Sequence, residues 1–329
     1  MGPSRAERGT LPASAVSLPR PPKTVLVTDF FREQQLPLLR AARPKIDFRV
    51  RGPKELTAED IAWAEALIGF RPPQHLEVRG PKWIHGSGAG VDAWLFRREF
   101  PRDVLLTRTD QPFGAMIGEY CLARALAERQ AMIPLYEQQR RSAWEYRTIP
   151  LVEGTRAVIV GTGEVGRGIA ARFKAVGARI DGVSASGRSV HPFDRVFERR
   201  HLHEAVKDCD WLILAAPLTE STWHMIGATE LSFARGSYLI NVGRGALVDE
   251  SAIVPALEAE HIRGAALDVF ESEPLPVTSP LWQHPKVLIS PHISGITSVA
   301  GATQGFLHAL EALERGKRPD TAVDVKRGY

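Results

Sequence analysis

Cysteine and long apolar runs are what this chain has least of, and both shortages narrow its class. Only two cysteines occur in 329 residues, Cys121 and Cys209, too few for a disulfide framework or a cysteine metal site. No metal is expected, and a reducing, cytoplasmic setting fits. No run of about 18 apolar residues exists, so no transmembrane helix and no membrane partner are expected. Charge of neither sign dominates: 42 Lys+Arg against 38 Asp+Glu leave +4. The basic residues are scattered, in nothing longer than short pairs such as Arg97-Arg98, Arg140-Arg141 and Arg199-Arg200. Without a basic stripe or a recognisable module, nucleic-acid binding is not expected. A mildly positive surface attracts small anionic ligands instead.

What is present is a globular chain with length for two domains at ~100–200 residues each. Residues 1–22 hold five prolines, no periodic apolar pattern and no continuous apolar core of a signal peptide, and read as a disordered tail. From Lys23 onward, short β-branched runs alternate with helix-capable segments. The runs Thr24–Thr28, Ile46–Val50, Ala66–Phe70, Trp83–Gly86 and Val104–Thr107 predict strands, with helices over Phe31–Ala42 and Thr57–Ala64. Such alternation implies a parallel sheet covered on both faces. After this first unit, 23–110, a helix is predicted over Gly114–Ala131, stopped or kinked at Pro134, and another over Leu135–Trp144. A second series follows, with strands at Arg156–Val160, Arg179–Ser184, Trp211–Ala216, Ser237–Asn241, Arg263–Leu267 and Val287–Ser290. A last helix is predicted over Ile296–Arg315.

The first strand of that second series runs into Gly161-Thr162-Gly163-Glu164-Val165-Gly166, and a helix follows. Gly161 permits the tight turn, Gly163 lets the backbone approach a pyrophosphate, and Gly166 lets helix and strand pack closely. The helix N-terminus then offers free N–H groups and a positive dipole end to phosphate. NAD sites place a carboxylate at the end of the next strand, for the ribose 2′-hydroxyl. Here that position holds Ser184, and Asp181 lies too early, inside the strand. Ser184, Ser186 and Arg188 can instead donate to a 2′-phosphate. NADP is therefore favoured, with NAD as the alternative.

Three later segments each end a predicted strand with a functional side chain. Arg244 follows Tyr238–Gly243, Asp268 and Glu273 follow Ala265–Leu267, and His292 follows Leu288–Pro291. In an open α/β sheet the carboxyl ends of the strands line the ligand crevice, so guanidinium, carboxylate and imidazole are expected to converge. These segments resemble the D-isomer-specific 2-hydroxyacid dehydrogenase family, in its glyoxylate/hydroxypyruvate reductase-like branch. The matching stretches are Gly161–Gly166, Ala215–Thr222, Asn241–Asp249, Ala266–Pro276 and Ser290–Gly295, with Ser279-Pro280-Leu281-Trp282 also similar to the reductase branch.

The resemblance implies two doubly wound α/β domains. A flavodoxin-like substrate domain (23–110, rejoined by 293–329) would flank a Rossmann NAD(P)-binding domain (111–292), with the site in a cleft that closes during hydride transfer. Arg244 would bind the substrate carboxylate, His292 would exchange the proton, and Glu273 would orient the imidazole and favour its charged form. Cofactor contacts implied by the family are the Glu164 and Val165 amides, Pro217, Thr222, Val242, Gly243, Asp268, Ser294 and Gly295. Asp268 would face the nicotinamide carboxamide or tune the proton network. The amides of Ala89 and Gly90, in a loop after Trp83–Gly86, would receive the substrate carboxylate. Trp94 and Trp282 are candidate site walls. The chain departs from the family's NADP-using members in carrying Ala185 where they often have arginine. The expected activity is NAD(P)H-dependent reduction of a small 2-oxo acid to the D-2-hydroxy acid, by a homodimer. Two rivals stay open: a phosphite-type dehydrogenase of the same fold, and a non-enzymatic, cofactor-sensing dimeric interaction protein.

Overall fold

The structure, a computed structural model, describes residues 18–329 apart from 75 and 77–79. The expected tail over 1–22 thus lies outside the described residues as far as residue 17. The described chain forms two compact units, one built from residues up to Thr109 with Val299–Arg327, the other from Asp110–Ser298.

The first unit is a five-stranded sheet: β1 (Thr24–Val27), β2 (Asp47–Val50), β3 (Ala66–Gly69), β4 (Trp83–Gly86) and β5 (Leu105–Arg108). Its order is β2-β1-β3-β4-β5 and every pairing is parallel. Side chains alternate between two apolar layers, as the two-residue period of a strand requires. Val25, Val27 and Ile68 pack on one face with Phe306 and Leu310 of the Val299–Glu314 helix, while Leu26, Leu67 and Ile84 pack on the other with Ile61 and Trp94. Trp83 stacks on Phe306 with centroids 4.7 Å apart. The last helix therefore completes the core of this unit.

The second unit is a seven-stranded sheet: β6 (Arg156–Val160), β7 (Arg179–Ser184), β8 (Arg195–Glu198), β9 (Trp211–Leu214), β10 (Ser237–Asn241), β11 (Ile262–Leu267) and β12 (Val287–Ile289). The order is β12-β11-β10-β9-β6-β7-β8, all parallel. This is the Rossmann arrangement, and the order reverses between β6 and β9, where a crevice opens at the carboxyl ends. β8 was not among the expected strands. It is a four-residue edge strand with charged ends, pairing only with β7, and such strands carry little apolar signal.

The helix at Phe113–Arg129 ends without help from Pro134. The chain breaks at Ala131, in the left-handed region at φ 48°, and Pro134 lies in the first turn of the next helix, Met132–Arg140. A missing N–H costs nothing there. The Phe113–Arg129 helix meets the Glu164–Ala175 helix through glycines. A Cβ on Gly168 would sit 2.2 Å from the Gly114 carbonyl oxygen, and one on Gly118 2.7 Å from that of Gly168. No helix among the described residues is long and apolar enough to cross a membrane.

One buried carboxylate ties the edge of the first sheet to its helical layer. Asp60 accepts from Arg49 at 2.7 Å, from Arg51 at 2.9 Å, and from the amide and hydroxyl of Thr57 in a capping box. Burial raises its pKa, but the guanidinium groups and Thr57 outweigh burial and hold the carboxyl at about 2. The folded value lies below the unfolded one, near 3.9, so the stabilisation is complete above that pH and is lost as pH falls towards 2. Asp60→Asn should cost about 2 kcal/mol at pH 7 and progressively less in acid. Urea unfolding midpoints of both proteins at pH 7 and pH 3 measure this.

Candidate active site

The turn after β6 is set by its glycines. Gly161 has φ +107°, and a Cβ there would lie 2.6 Å from the Ala215 carbonyl oxygen. A Cβ on Gly166 would lie 1.9 Å from the Gly161 oxygen, so helix and strand close only over glycine. A Cβ on Gly163 would meet no described residue within 4 Å, so this face is open. The Arg167 amide donates to the Gly163 carbonyl at 2.9 Å, leaving the amides of Glu164, Val165 and Gly166 unspent in the first turn. The Glu164 carboxylate is turned away, accepting from the Gly114 amide at 2.9 and 3.1 Å. Open space, three free amides and a helix N-terminus fit a dinucleotide pyrophosphate.

Beyond β7, no carboxylate stands at the strand end. Asp181 lies within β7 and accepts from Arg156 at 2.7 Å. The Ser184 hydroxyl accepts from the Gly187 amide at 3.1 Å, Ser186 from the Arg188 amide at 3.4 Å, and Arg188 is exposed. The unforeseen β8 brings Glu198 opposite Ser184, and its charge is met by Arg200 at 2.9 Å. The loop after β9 is self-contained. Thr222 Oγ1 accepts from the Thr219 amide at 2.8 Å and donates to the Pro217 carbonyl at 2.7 Å, so this hydroxyl is committed to its own turn.

The three strand-end groups are brought together. His292 Nδ1 lies 2.8 Å from Glu273 Oε2. Since a carboxylate only accepts, Nδ1 carries the hydrogen and Nε2 is left for chemistry. The Phe270 amide donates to Glu273 Oε1 at 3.0 Å. Burial pushes the Glu273 pKa up, but the His292 and Phe270 hydrogen bonds and the charges of His292 and Arg244 outweigh it and hold the carboxyl below its usual range. Arg244 is fixed from behind: the Asn241 amide group donates to its carbonyl at 2.9 Å and accepts from the Gly243 amide at 3.2 Å. Next to it, a Cβ on Gly245 would lie 1.8 Å from the Phe270 carbonyl carbon, so the Arg244 turn presses on the loop that carries Glu273. His224 Nε2, 2.9 Å from Glu271 Oε1, braces that loop from the other side.

Asp268 is fully buried and faces its own chain. Its Oδ1 accepts from the Ser290 hydroxyl at 2.6 Å and the Ile293 amide at 2.9 Å, and its Oδ2 from the Ser294 amide at 2.8 Å. Its carbonyl accepts from the His292 amide at 2.8 Å. Tyr120, 2.5 Å from the Ser290 hydroxyl, extends the chain to the Phe113–Arg129 helix. Asn241, Ser290 and Tyr120 were not among the expected site residues. Only the strand-end position of Asn241 and the place of Ser290 beside His292 could have signalled them. Val242 is buried, and Gly295 packs on Ile117, where a Cβ would meet its side chain at 2.8 Å.

In the first unit, the loop after β4 leaves the amides of Ala89 and Gly90 without acceptors among the described residues. Trp94 is in the core, and Trp282 is exposed, its indole donating to the Pro276 carbonyl at 2.9 Å.

Asp268→Ala should leave the Ile293 and Ser294 amides unpaired and cost roughly 3 kcal/mol. Hydrogen exchange at Ile293 and Ser294 should accelerate together with the loss seen in urea unfolding. Unchanged protection there would mean that the His292 loop is held by other contacts.

Known proteins share this architecture. A family model for the NAD binding domain of D-isomer specific 2-hydroxyacid dehydrogenases matches residues 122–294. A glyoxylate/hydroxypyruvate reductase A of Citrobacter koseri is 32% identical over 275 residues, which are 80% of this chain and 87% of that protein. A Streptomyces coelicolor protein of the mprR 3′ region is 37% identical over 272 residues, 80% of this chain and 95% of its own. The crystal structure of a D-isomer specific 2-hydroxyacid dehydrogenase from Xanthobacter autotrophicus Py2, in complex with NADPH and MES, has a TM-score of 0.84 at 29% identity, covering 94% of this chain and 100% of the other. With more than half of its length matched by that model and with these relatives, the chain belongs to the D-isomer specific 2-hydroxyacid dehydrogenase family, and it is an NAD(P)-dependent oxidoreductase of 2-hydroxy acids.

Proposed function

We propose that this enzyme reduces a small 2-oxo acid of the glyoxylate or hydroxypyruvate kind to the D-2-hydroxy acid, with NADPH preferred over NADH. The observation that carries this is the His292–Glu273 pair at 2.8 Å beside the Arg244 charge. Arg244 offers a planar, two-pronged donor to the substrate carboxylate and polarises the adjacent carbonyl. His292 delivers a proton from Nε2 to the carbonyl oxygen, while Glu273 holds Nδ1 and balances the imidazolium charge. The bound nicotinamide supplies the hydride. Oxidation reverses both transfers, with Nε2 taking the hydroxyl proton. In the first unit, the free amides of Ala89 and Gly90 receive the substrate carboxylate.

The cofactor cradle consists of Gly161, Gly163, Gly166 and the Glu164 and Val165 amides, with Pro217, Val242, Gly243, Ser294 and Gly295 along the same carboxyl edge. Asp268 acts by holding that edge rather than by touching the nucleotide. The preference for NADPH rests on the β7 end, where Asp181 is committed to Arg156 and Ser184, Ser186 and Arg188 stand in place of a carboxylate. The Xanthobacter relative, solved with NADPH, supports it. A homodimer belongs to the same reading. Trp144 and Tyr146 are 89% and 93% exposed, and Met132, Tyr136 and Leu151 add apolar surface to the same stretch. So does a cytoplasmic location, with both cysteines present as buried free thiols.

His292→Ala should lower kcat at least ~10²-fold, the usual cost of a lost general acid. Turnover near that of the parent would remove the proton assignment. In a panel of 2-oxo acids with both nucleotides, NADPH should give the higher kcat/KM. Phosphite oxidation exceeding every 2-oxo acid in that panel would reverse the substrate assignment.

A further inference from the structure

Charge gathers at the β7–β8 end of the seven-stranded sheet. Arg188 follows β7, and Glu198 ends β8 with Arg199 and Arg200 directly after it. Register makes Glu198 the partner of Ser184, so the two lie side by side on neighbouring strands, about 5 Å apart. The turn after β7 rests on the same residue. A Cβ on Gly187 would lie 3.0 Å from the Glu198 amide nitrogen and 3.1 Å from the Glu198 Cβ. Arg199 Nη1 donates to the Ser221 carbonyl at 2.9 Å and ties the loop after β9 to the end of β8. The loops after β7, β8 and β9 thus form one rim at the carboxyl edge, where a Rossmann sheet takes its nucleotide.

On this rim a carboxylate is present after all, one strand away from the position that the glycine turn predicts for it. Left alone, Glu198 would accept from a ribose 2′-hydroxyl and repel a 2′-phosphate. It is not left alone. Arg200 Nη2 lies 2.9 Å from Glu198 Oε2, with the Glu198 side chain 37% and the Arg200 side chain 71% exposed. Such a pair is open to a ligand and contributes little to folding. The other two cations are placed differently. Arg199 is spent on the Ser221 carbonyl, and the exposed Arg188 side chain makes no ion pair among the described residues. Three guanidinium groups therefore share the rim with one carboxylate, and Arg200 decides whether that carboxylate opposes an incoming phosphate.

We propose that the Glu198–Arg200 pair sets how strongly this enzyme distinguishes NADPH from NADH. Glu198 supplies the carboxylate of an NAD site from the neighbouring strand, and Arg200 cancels it. This role rests on the proposed function in placing the adenosine ribose at the end of β7. With the Glu198 charge offset, Arg188, Ser184 and Ser186 meet the 2′-phosphate. Removing the Glu198 charge strengthens the discrimination, and removing Arg200 weakens it. An ion pair that merely braced the surface would give neither shift.

The test titrates the full chain with 2′,5′-ADP and 5′-AMP, which carry the adenosine ribose with and without the 2′-phosphate, and reads dissociation constants by calorimetry at low salt. Glu198→Gln should raise the preference for 2′,5′-ADP by ~3- to 10-fold, and Arg200→Ala should lower it by a similar factor, the scale of one partly screened charge acting on a dianion. Both shifts should shrink at high salt. The ratio of kcat/KM values for NADPH and NADH should move in the same two directions. Both residues stand at the surface, and melting curves matching the parent check that the variants fold. Equal preferences in all three proteins, or shifts of one sign in both variants, overturn the role of the pair. A parent that binds 5′-AMP as tightly as 2′,5′-ADP, with variants that still shift in opposite directions, overturns the NADPH preference and leaves the role of the pair standing.

Discussion

A carboxylate with no solvent exposure holds the His292 loop in place. Asp268 gathers the Ser290 hydroxyl and the amides of Ile293 and Ser294 onto one side chain, and its carbonyl takes the His292 amide. His292 itself sits at φ 55°, a conformation that a residue with a Cβ adopts at a cost of about 1 kcal/mol or more, and which persists only when its surroundings over-determine it. The hydrogen bonds on both flanks supply that constraint. The position of the imidazole therefore depends on Asp268 as well as on Glu273.

The same construction recurs at the other strand ends. Asn241 ties both sides of the Gly243–Arg244 turn, the Phe270 amide anchors Glu273, and Gly245 lets the two loops press against each other. Each of these side chains has a backbone or amide partner behind it, and the Arg244 guanidinium also donates to the Gly243 carbonyl at 2.7 Å. Preorganisation of this kind spares the enzyme the cost of ordering charged groups when the substrate arrives.

Much of this was legible in the sequence, for a local reason. β-branched runs, the glycine turn and the strand-end positions of Arg244, Glu273 and His292 are short-range signals, and a parallel sheet sends every strand end to one edge. What stayed hidden depends on contacts between distant segments. β8 has too few apolar residues to announce itself. The burial of Asp268 and its link through Ser290 to Tyr120 join positions 120, 268 and 290, which no periodicity relates. Thr222 reads as an available hydroxyl until its turn is seen to consume it. Pro134 reads as a terminator, yet the chain breaks at Ala131 and the proline opens the next helix.

The crossing of the Phe113–Arg129 and Glu164–Ala175 helices has a wider consequence. Gly114, Gly118 and Gly168 allow backbone to touch backbone there, and the Gly114 amide is clasped by the carboxylate of Glu164, the first residue of the phosphate-facing helix. At Gly114 and Gly168 little but backbone separates the two helices, so little is there to absorb displacement. A shift of the Phe113–Arg129 helix therefore bears directly on the start of the Glu164–Ala175 helix at these contacts.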